Sequence, residues 1–412
     1  MMLVDEKEKR VFDIEQIKKD VLQRMEGRGE INDETIFECI DEVLKSVSSE
    51  RYISVNEKIN IRKNIYNKIS GLDILEELLE DDAVTEIMVN GPFNIYIEKN
   101  GRIKKWDKQF ESEEKLSDIV QRIVGTVNRR VNERKPIVDA NIRGKYRVSI
   151  VLKPVAVNGP IITIRKFKRD VLNMENLIKL GSVNDELADF FKKVVKAKYN
   201  IFISGATNCG KTTFLNILSG FIPKEERIIT IEDSIELDLK ETDNLVTLEA
   251  RSGNVSSDIE ISIRDLIKTS LRMRPDRIIV GEVRGSECID MLMAMNTGHD
   301  GSMSTGHGNS PQEMLLRLET MYLYGMDIPL LAIRNQLASS LDIMIHIGRL
   351  RDNSRKIMSV CEVMGVRNGE VVLNKLFEFV EEGEDENGKI LGRFVKRNEL
   401  THREKLKRAG FG

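Results

Sequence analysis

With 412 residues the chain is long enough for two to three domains at roughly 150 residues each, and its 41% hydrophobic content is ample for packed cores. No apolar run approaches the roughly 18 residues that cross a membrane, and a net charge of −3 gives the whole chain no bias toward nucleic acid. The first residues carry no apolar h-region, so no secretory signal is expected. The four cysteines (Cys39, Cys209, Cys288, Cys361) stand too far apart for a zinc site or a disulfide framework, which predicts a reducing, cytoplasmic setting.

Ile14, Ile17, Val21 and Met25 recur with a helical period, which Gly27-Arg28-Gly29 breaks. Asn32-Asp33 can cap a second helix with Ile36, Ile40, Val43 and Val47 on one face, and Ile61, Ile65 and Ile69 mark a third. Residues 1–70 are therefore expected to form a helical appendage. Residues 71–166 change character. Strands are predicted at 87–89 and 95–97, with Asn100-Gly101 as a two-residue hairpin turn and a return strand from Arg102. A helix follows, with Leu116, Ile119, Ile123 and Val127 on one face, and then strands at 147–152 and 161–165. This is an α+β pattern. Residues 101–170 hold 18 Lys/Arg against 8 Asp/Glu, a basic patch suited to solvation or to phosphates and acidic partners.

Residues 167–412 form the third predicted domain. Two helices precede Ile201, Phe202 and Ile203, which read as a buried strand. Gly205-Ala206-Thr207-Asn208-Cys209-Gly210-Lys211-Thr212 then satisfies G-x-x-x-x-G-K-[ST], and after Thr213 a helix carries Phe214, Leu215, Ile217 and Leu218. A strand feeding a glycine loop that opens a helix is the context this motif requires. Successive N–H groups of such a loop make an anion nest, and the helix N-terminus adds partial positive charge. Lys211 would reach the β- and γ-phosphates and Thr212 would ligate Mg²⁺, so ATP and Mg²⁺ are the predicted cofactors. Cys209, at the helix N-terminus, is predicted to have a depressed pKa and to lie under ATP.

Further strands are predicted at 228–231, 245–248, 278–280, 302–305 and 343–347, interleaved with helices near 259–272, 286–296, 311–324 and 329–340. That alternation implies a largely parallel sheet with both faces covered. Ile229-Thr230-Ile231-Glu232-Asp233 ends in two carboxylates that would sit beside the phosphate site. Arg277-Ile278-Ile279-Val280-Gly281-Glu282 also ends in an acid, with Gly281 where an aspartate commonly precedes it. Glu232 is read as polarising the attacking water, with Asp233 and Glu282 on the Mg²⁺ side, although Glu232 and Glu282 are interchangeable at this level. His299 and His307, flanked by glycines, suit a γ-phosphate sensor or a relay to the next subunit, and their spacing is a poor zinc pattern. Arg272, Arg274 and Arg284 flank the second acidic strand, and guanidinium groups stabilise the charge of phosphoryl transfer, some in trans. Arg272 is the catalytic candidate among them. Beyond 356 a few strands and a short helix near 403–408 are expected. The acidic cluster Glu381, Glu382, Glu384, Asp385 and Glu386, ending in Asn387-Gly388, reads as a solvated turn.

Residues 271–287, together with 205–213, 229–237 and 298–309, resemble the secretion-ATPase superfamily of type II and type IV systems. Residues 84–91 (Val-Thr-Glu-Ile-Met-Val-Asn-Gly), 130–140 and 163–167 (Thr-Ile-Arg-Lys-Phe) resemble, more narrowly, the Tad/Flp-type pilus assembly ATPases. The resemblance implies a homo-hexameric ring. It also implies a RecA-like P-loop NTPase motor domain preceded by a smaller α+β, PAS-like domain, with ATP between the two domains at a site completed by neighbouring subunits. Lys211 and Thr212 match its Walker A segment, Glu232 and Asp233 its Asp box, Glu282 its Walker B glutamate, and His299 and His307 its His box. Arg130, Arg147 and Arg165 match small-domain arginines that reach the nucleotide.

There are departures from the family pattern. Asn208 and Cys209 replace Gly and Ser, Asn141 stands where an arginine is common, and Gly306 and Gly308 flank His307. The tetracysteine zinc module of some members is absent. The expected function is a cytoplasmic Mg-ATPase, docked at the inner face of the membrane on an inner-membrane platform protein, that drives pilus assembly or protein secretion. One alternative is a conjugation or DNA-uptake motor, which 5% aromatics and the single Trp106 disfavour because single-strand binding needs stacking platforms. The other is a nucleotide-gated docking protein without turnover.

Overall fold

The computed structural model describes residues 13–28, 31–50, 52–127, 131–166, 172–239, 241–251 and 260–411. The chain divides into two compact units, residues 1–168 and 169–412.

The first unit opens with α1 (Ile14–Met25), α2 (Asp33–Glu50) and α3 (Val55–Ile69). The residues that set their helical periods, Ile17, Val21, Ile40, Val43, Ile61 and Ile65, form one buried cluster. Their starts are capped as short polar side chains cap helices. Asp13 accepts from the Gln16 N–H, Asn32 from the Thr35 N–H at 2.9 Å, and Ser54 and Glu57 form a capping box. Then come α4 (Leu75–Glu80), β1 (Val84–Asn90), β2 (Ile95–Lys99), β3 (Arg102–Lys105), α5 (Glu113–Gly125), β4 (Ile137–Ile142), β5 (Tyr146–Val151) and β6 (Ile161–Lys166). The six strands make a sheet in the order β3-β2-β1-β6-β5-β4, antiparallel at every pairing. Asn100 and Gly101 turn the β2–β3 hairpin with φ of +54° and +74°, as a two-residue turn with two positive φ angles requires. Ile87, Val89, Val148, Ile150, Ile162 and Ile164 point from the sheet onto Leu75, Leu116, Ile119 and Ile123. Two elements lie outside the sequence reading, α4 and β4, and α5 ends at Gly125, before Val127.

The second unit contains α6 (Met174–Lys179), α7 (Asp185–Lys196), β7 (Ile201–Gly205), α8 (Lys211–Ser219), β8 (Arg227–Glu232), β9 (Asn244–Glu249), α9 (Ile263–Ser270), β10 (Arg277–Val280), α10 (Glu287–Asn296), β11 (Met303–His307), α11 (Pro311–Leu323), α12 (Leu330–Ser340), β12 (Ile343–Arg349), β13 (Arg355–Arg367), β14 (Glu370–Glu384), β15 (Ile390–Lys396) and α13 (Glu404–Arg408). Nine strands form one sheet in the order β15-β14-β13-β12-β7-β11-β10-β8-β9. From β12 to β9 the pairing is parallel, and β13 to β15 extend it as an antiparallel meander. One face packs Ile201, Ile203 and Ile279 on Phe191 and Leu215, and the other packs Phe202, Ile229 and Val280 on Leu292, Leu318 and Leu337. Alternating strands buried on both faces need this double cover, and the result is a RecA-like α/β motor domain.

The acidic cluster departs from its predicted solvated turn. Glu381, Glu382 and Glu384 belong to β14, where Arg351 pairs with Glu381 and Glu384 and Arg393 with Glu382. Cations facing them neutralise the repulsion that sequence alone displays. The turn itself is shorter, with Asp385 accepting from the Asn387 and Lys389 N–H groups. Among the described residues no helix is long and apolar enough to cross a membrane.

Candidate functional site

β7 is buried along its whole length, between β12 and β11. It ends at Gly205, where a Cβ would stand 2.4 Å from the Ile347 carbonyl oxygen and 2.5 Å from Cys209 Sγ, so no larger residue fits. In the loop that follows, Asn208 has φ +60° and Gly210 φ +97°. Two left-handed residues within one short loop turn its amides toward a common centre. Asparagine adopts this conformation more readily than most residues, although at a steric cost that glycine does not meet.

Lys211 opens α8 and curls back over the loop. Its Nζ donates to the carbonyls of Gly205 (3.1 Å) and Ala206 (3.0 Å) and lies 3.3 Å from His307 Nδ1. His307 ends β11 and pairs with Gly205 in register. Its Nε2 stands 2.8 Å from Glu282 Oε1, and Arg284 Nη2 donates to Glu282 Oε2 at 2.9 Å. Arg284 Nη1 in turn lies 3.9 Å from Asp233 Oδ2. Cation, imidazole, carboxylate, guanidinium and carboxylate thus follow one another along the carboxyl edge of β7, β11, β10 and β8. Burial, then the Lys211 charge, holds the His307 pKa below the ordinary imidazole value. The ring is therefore assigned as neutral at pH 7, accepting from Lys211 at Nδ1, while Glu282 Oε1 is buried beside Nε2 without an aligned hydrogen-bond donor.

Glu232 ends β8 and is buried. It accepts from the Glu236 N–H at 3.1 Å and the Leu237 N–H at 3.2 Å, and burial pushes its carboxyl up to about 7. Its Cγ lies 2.9 Å from where a Cβ on Gly281 would be, which accounts for glycine in place of the common aspartate. Thr305 Oγ1 donates to the Gly281 carbonyl at 2.8 Å and ties the ends of β11 and β10 together. Gly306 and Gly308 leave room for Met314, whose atoms would come within 2.9 Å and 3.1 Å of a Cβ at either position. Thr212 and Thr213 lie in the first turn of α8, and Ala206 and Thr207 are exposed in the loop.

The expectation for Cys209 is corrected. Cys209 is fully buried in the core that holds Ile201 and Leu215. Burial raises its thiol pKa and outweighs Lys211 and the helix N-terminus, which act the other way. Arg272 is exposed between α9 and the start of β10. Parallel strands put that position at their amino edge, opposite the P-loop, so Arg272 does not join the line within its own chain, and Arg284 stands there instead. His299 lies before β11, with Nδ1 3.3 Å from the Ala294 carbonyl of α10, and is likewise away from the loop. In the other unit, Arg147 and Arg165 are cross-strand neighbours in a lateral row that runs Glu86, Arg165, Arg147, Asn141. Arg130 lies outside the described residues.

Two residues escaped the sequence reading. His346 on β12 has Nδ1 3.0 Å from Ser204 Oγ, and Arg355 at the start of β13 donates Nε to the Asn208 carbonyl at 3.0 Å. No spacing announces either, since both reach the loop through strand register across the sheet.

Glu232 carries a testable consequence. Its folded pKa is raised from 4.5 to about 7, so its contribution is fully present below the unfolded pKa and is lost as pH rises through about 7. The wild-type protein is expected to lose up to about 3 kcal/mol, relative to Glu232→Gln, between pH 4.5 and pH 8. Denaturant unfolding of both proteins at the two pH values measures it, and equal pH dependence would contradict the buried, raised carboxyl.

The nucleotide-shaped loop, its lysine and the acidic strand ends on a parallel sheet define a P-loop nucleotide-binding motor domain. Residues 68–387 match the type II/IV secretion system protein family, and the chain belongs to that family. A Mycobacterium tuberculosis protein (strain ATCC 25618 / H37Rv) named for conjugal transfer is 33% identical over 303 residues, covering 72% of this chain and 85% of that protein. The type IV secretion system protein PtlH of Bordetella pertussis is 32% identical over 306 residues, covering 68% of this chain and 89% of PtlH. The crystal structure of the pilus retraction motor PilT with bound ADP matches with a TM-score of 0.50 at 20% identity, over 74% of this chain and 81% of that one, a likeness of fold.

Proposed function

We propose that this chain is the subunit of a homo-hexameric Mg-ATPase ring of the Tad/Flp pilus-assembly type. It docks at the cytoplasmic face of the membrane on an inner-membrane platform protein, and ATP hydrolysis there drives pilus assembly or protein secretion. The observation that carries the reading is the Lys211–His307–Glu282–Arg284 line at the mouth of the P-loop. Lys211 would leave the Gly205 and Ala206 carbonyls for the phosphates. Mg²⁺ keeps several of its waters when bound, which suits one hydroxyl, Thr212, with Asp233 and Glu282 one shell out. Glu232, with a carboxyl near neutrality, suits the group that takes the proton from the attacking water. His307 would report γ-phosphate occupancy to Glu282.

On this reading residues 1–70 are a helical appendage, residues 71–166 a PAS-like domain and residues 167–412 the motor. A nucleotide-binding role for Arg130, Arg147 and Arg165 belongs to the same proposal.

ATP turnover per chain, measured with Mg²⁺ across protein concentrations, tests it. Turnover is expected to rise steeply as rings assemble. Full turnover by chains that size as monomers would remove the shared site. The relative named for conjugal transfer favours a second reading, a DNA-transfer motor. Stimulation of turnover by single-stranded DNA would select it over the first.

A further inference from the structure

We propose that Arg355 is a positioning residue for the nucleotide, acting through the backbone of Asn208; this rests on the nucleotide-site reading above. β12 runs parallel to β7 and places Ile347 beside Gly205, and β13 returns antiparallel so that Arg355 pairs with Arg349. The start of β13 therefore stands at the same sheet edge as the P-loop. Arg355 spans both left-handed residues of that loop. Its Nε donates to the Asn208 carbonyl at 3.0 Å, and its Cδ lies 3.4 Å from where a Cβ on Gly210 would be.

The contact has a physical purpose because residue 208 is not glycine. A residue with a Cβ adopts φ +60° against a steric cost that glycine does not meet. Left alone, the Asn208–Cys209 peptide would gain by rotating out of that conformation. The peptide unit is planar, with its carbonyl and N–H on opposite sides. Holding the Asn208 carbonyl outward on a charged donor therefore holds the Cys209 N–H inward, where it lies 3.4 Å from the Ala206 carbonyl. A charge-assisted hydrogen bond is well suited to this, being stronger than a neutral one. Arg355 and Asn208 thus act as a compensating pair: the arginine supplies from outside the restraint that a glycine at 208 would make unnecessary.

The test uses the full-length chain, with Mg-ADP binding by calorimetry and steady-state ATP turnover as readouts. Arg355→Gln is expected to weaken Mg-ADP and raise KM for ATP about tenfold, with kcat within about twofold, the pattern for binding lost equally in ground and transition states. Arg355→Lys, which keeps a cationic donor without the fork, is expected to fall between. Arg355 is exposed, so the thermal midpoint should not move. The decisive variant is Asn208→Gly combined with Arg355→Gln, expected to return KM to within about twofold of the Asn208→Gly single variant. An unchanged KM and Mg-ADP affinity in Arg355→Gln overturns the proposal. So does a defect that Asn208→Gly fails to suppress, which would make Arg355 a direct ligand. Lys211→Ala is the control for the underlying reading: if it binds Mg-ADP like the wild type, the nucleotide site itself is misplaced, whatever Arg355→Gln does.

Discussion

Glu282→Gln is expected to lower ATP turnover by about 10²- to 10³-fold while the protein still folds and binds Mg-ADP. The substitution is sharp because so little geometry changes. A glutamine has the same shape and still stands beside His307 Nε2, now 2.8 Å from Glu282 Oε1. What disappears is the one negative charge between a neutral imidazole and the Arg284 guanidinium. Among the described residues Glu282 is the only carboxylate that contacts both groups, and Gly281 offers no second acid on that strand end. If Glu282 acts through the waters of Mg²⁺, high Mg²⁺ recovers part of the lost rate. If it takes the proton, no Mg²⁺ concentration does.

The pH profile separates Glu232 from Glu282. Glu232 must be ionised to accept a proton, so with a carboxyl near 7 the wild-type rate is expected to rise through neutrality. Glu282→Gln should keep that limb at a lower level, and Glu232→Gln should lose it. Turnover of Glu282→Gln within about threefold of wild type would remove Glu282 from the chemistry.

The parts of the site legible in the sequence are those with local signals. Gly205 to Thr212 sits between an apolar strand and an apolar-periodic helix, so loop, lysine and helix start could all be read within some fifteen residues. The three N-terminal helices were legible for the same reason, since Asn32 caps the second and their buried faces keep one period. What was illegible depends on direction and register. Arg272 and Arg284 both flank β10 in sequence, but a parallel strand puts one at its amino edge and the other beside Glu282. Cys209 occupies a helix N-terminus, which would lower a thiol pKa, but the loop folds its sulfur into the core, where desolvation wins. β4 alternates in burial with Asp139 and Ile137 outward, a half-polar pattern that reads as loop until β5 pairs with it. His346 and Arg355 come from strands some 140 residues away in the chain, and only the order of the sheet brings them to the P-loop.

The largest stability effect is expected far from the nucleotide, at Arg277. This first residue of β10 is fully buried. Its Nε and Nη2 donate to Glu226 at 2.7 and 3.1 Å, and Nη1 donates to the Val195 carbonyl at 2.7 Å. A Cβ on Gly301 would come within 2.6 Å of Nη1, so the guanidinium fills its niche and dictates glycine there. Arg277→Ala removes the partner of a mostly buried carboxylate and, among the described residues, leaves it only Lys198, at 3.4 Å. Breaking one side of such a pair costs about 3–5 kcal/mol, because the remaining charge is stranded. At roughly 2–4 °C per kcal/mol for a unit of this size, calorimetry should show the second unit melting about 10 °C earlier. Replacing both partners, Arg277→Met with Glu226→Leu, should recover much of the loss, since no buried charge remains. The amino edge holds none of the P-loop residues, so the folded fraction of Arg277→Ala should bind Mg-ADP as the wild type does. A loss below about 1 kcal/mol would mean that water reaches Glu226 and that the pair behaves as a surface ion pair despite its burial.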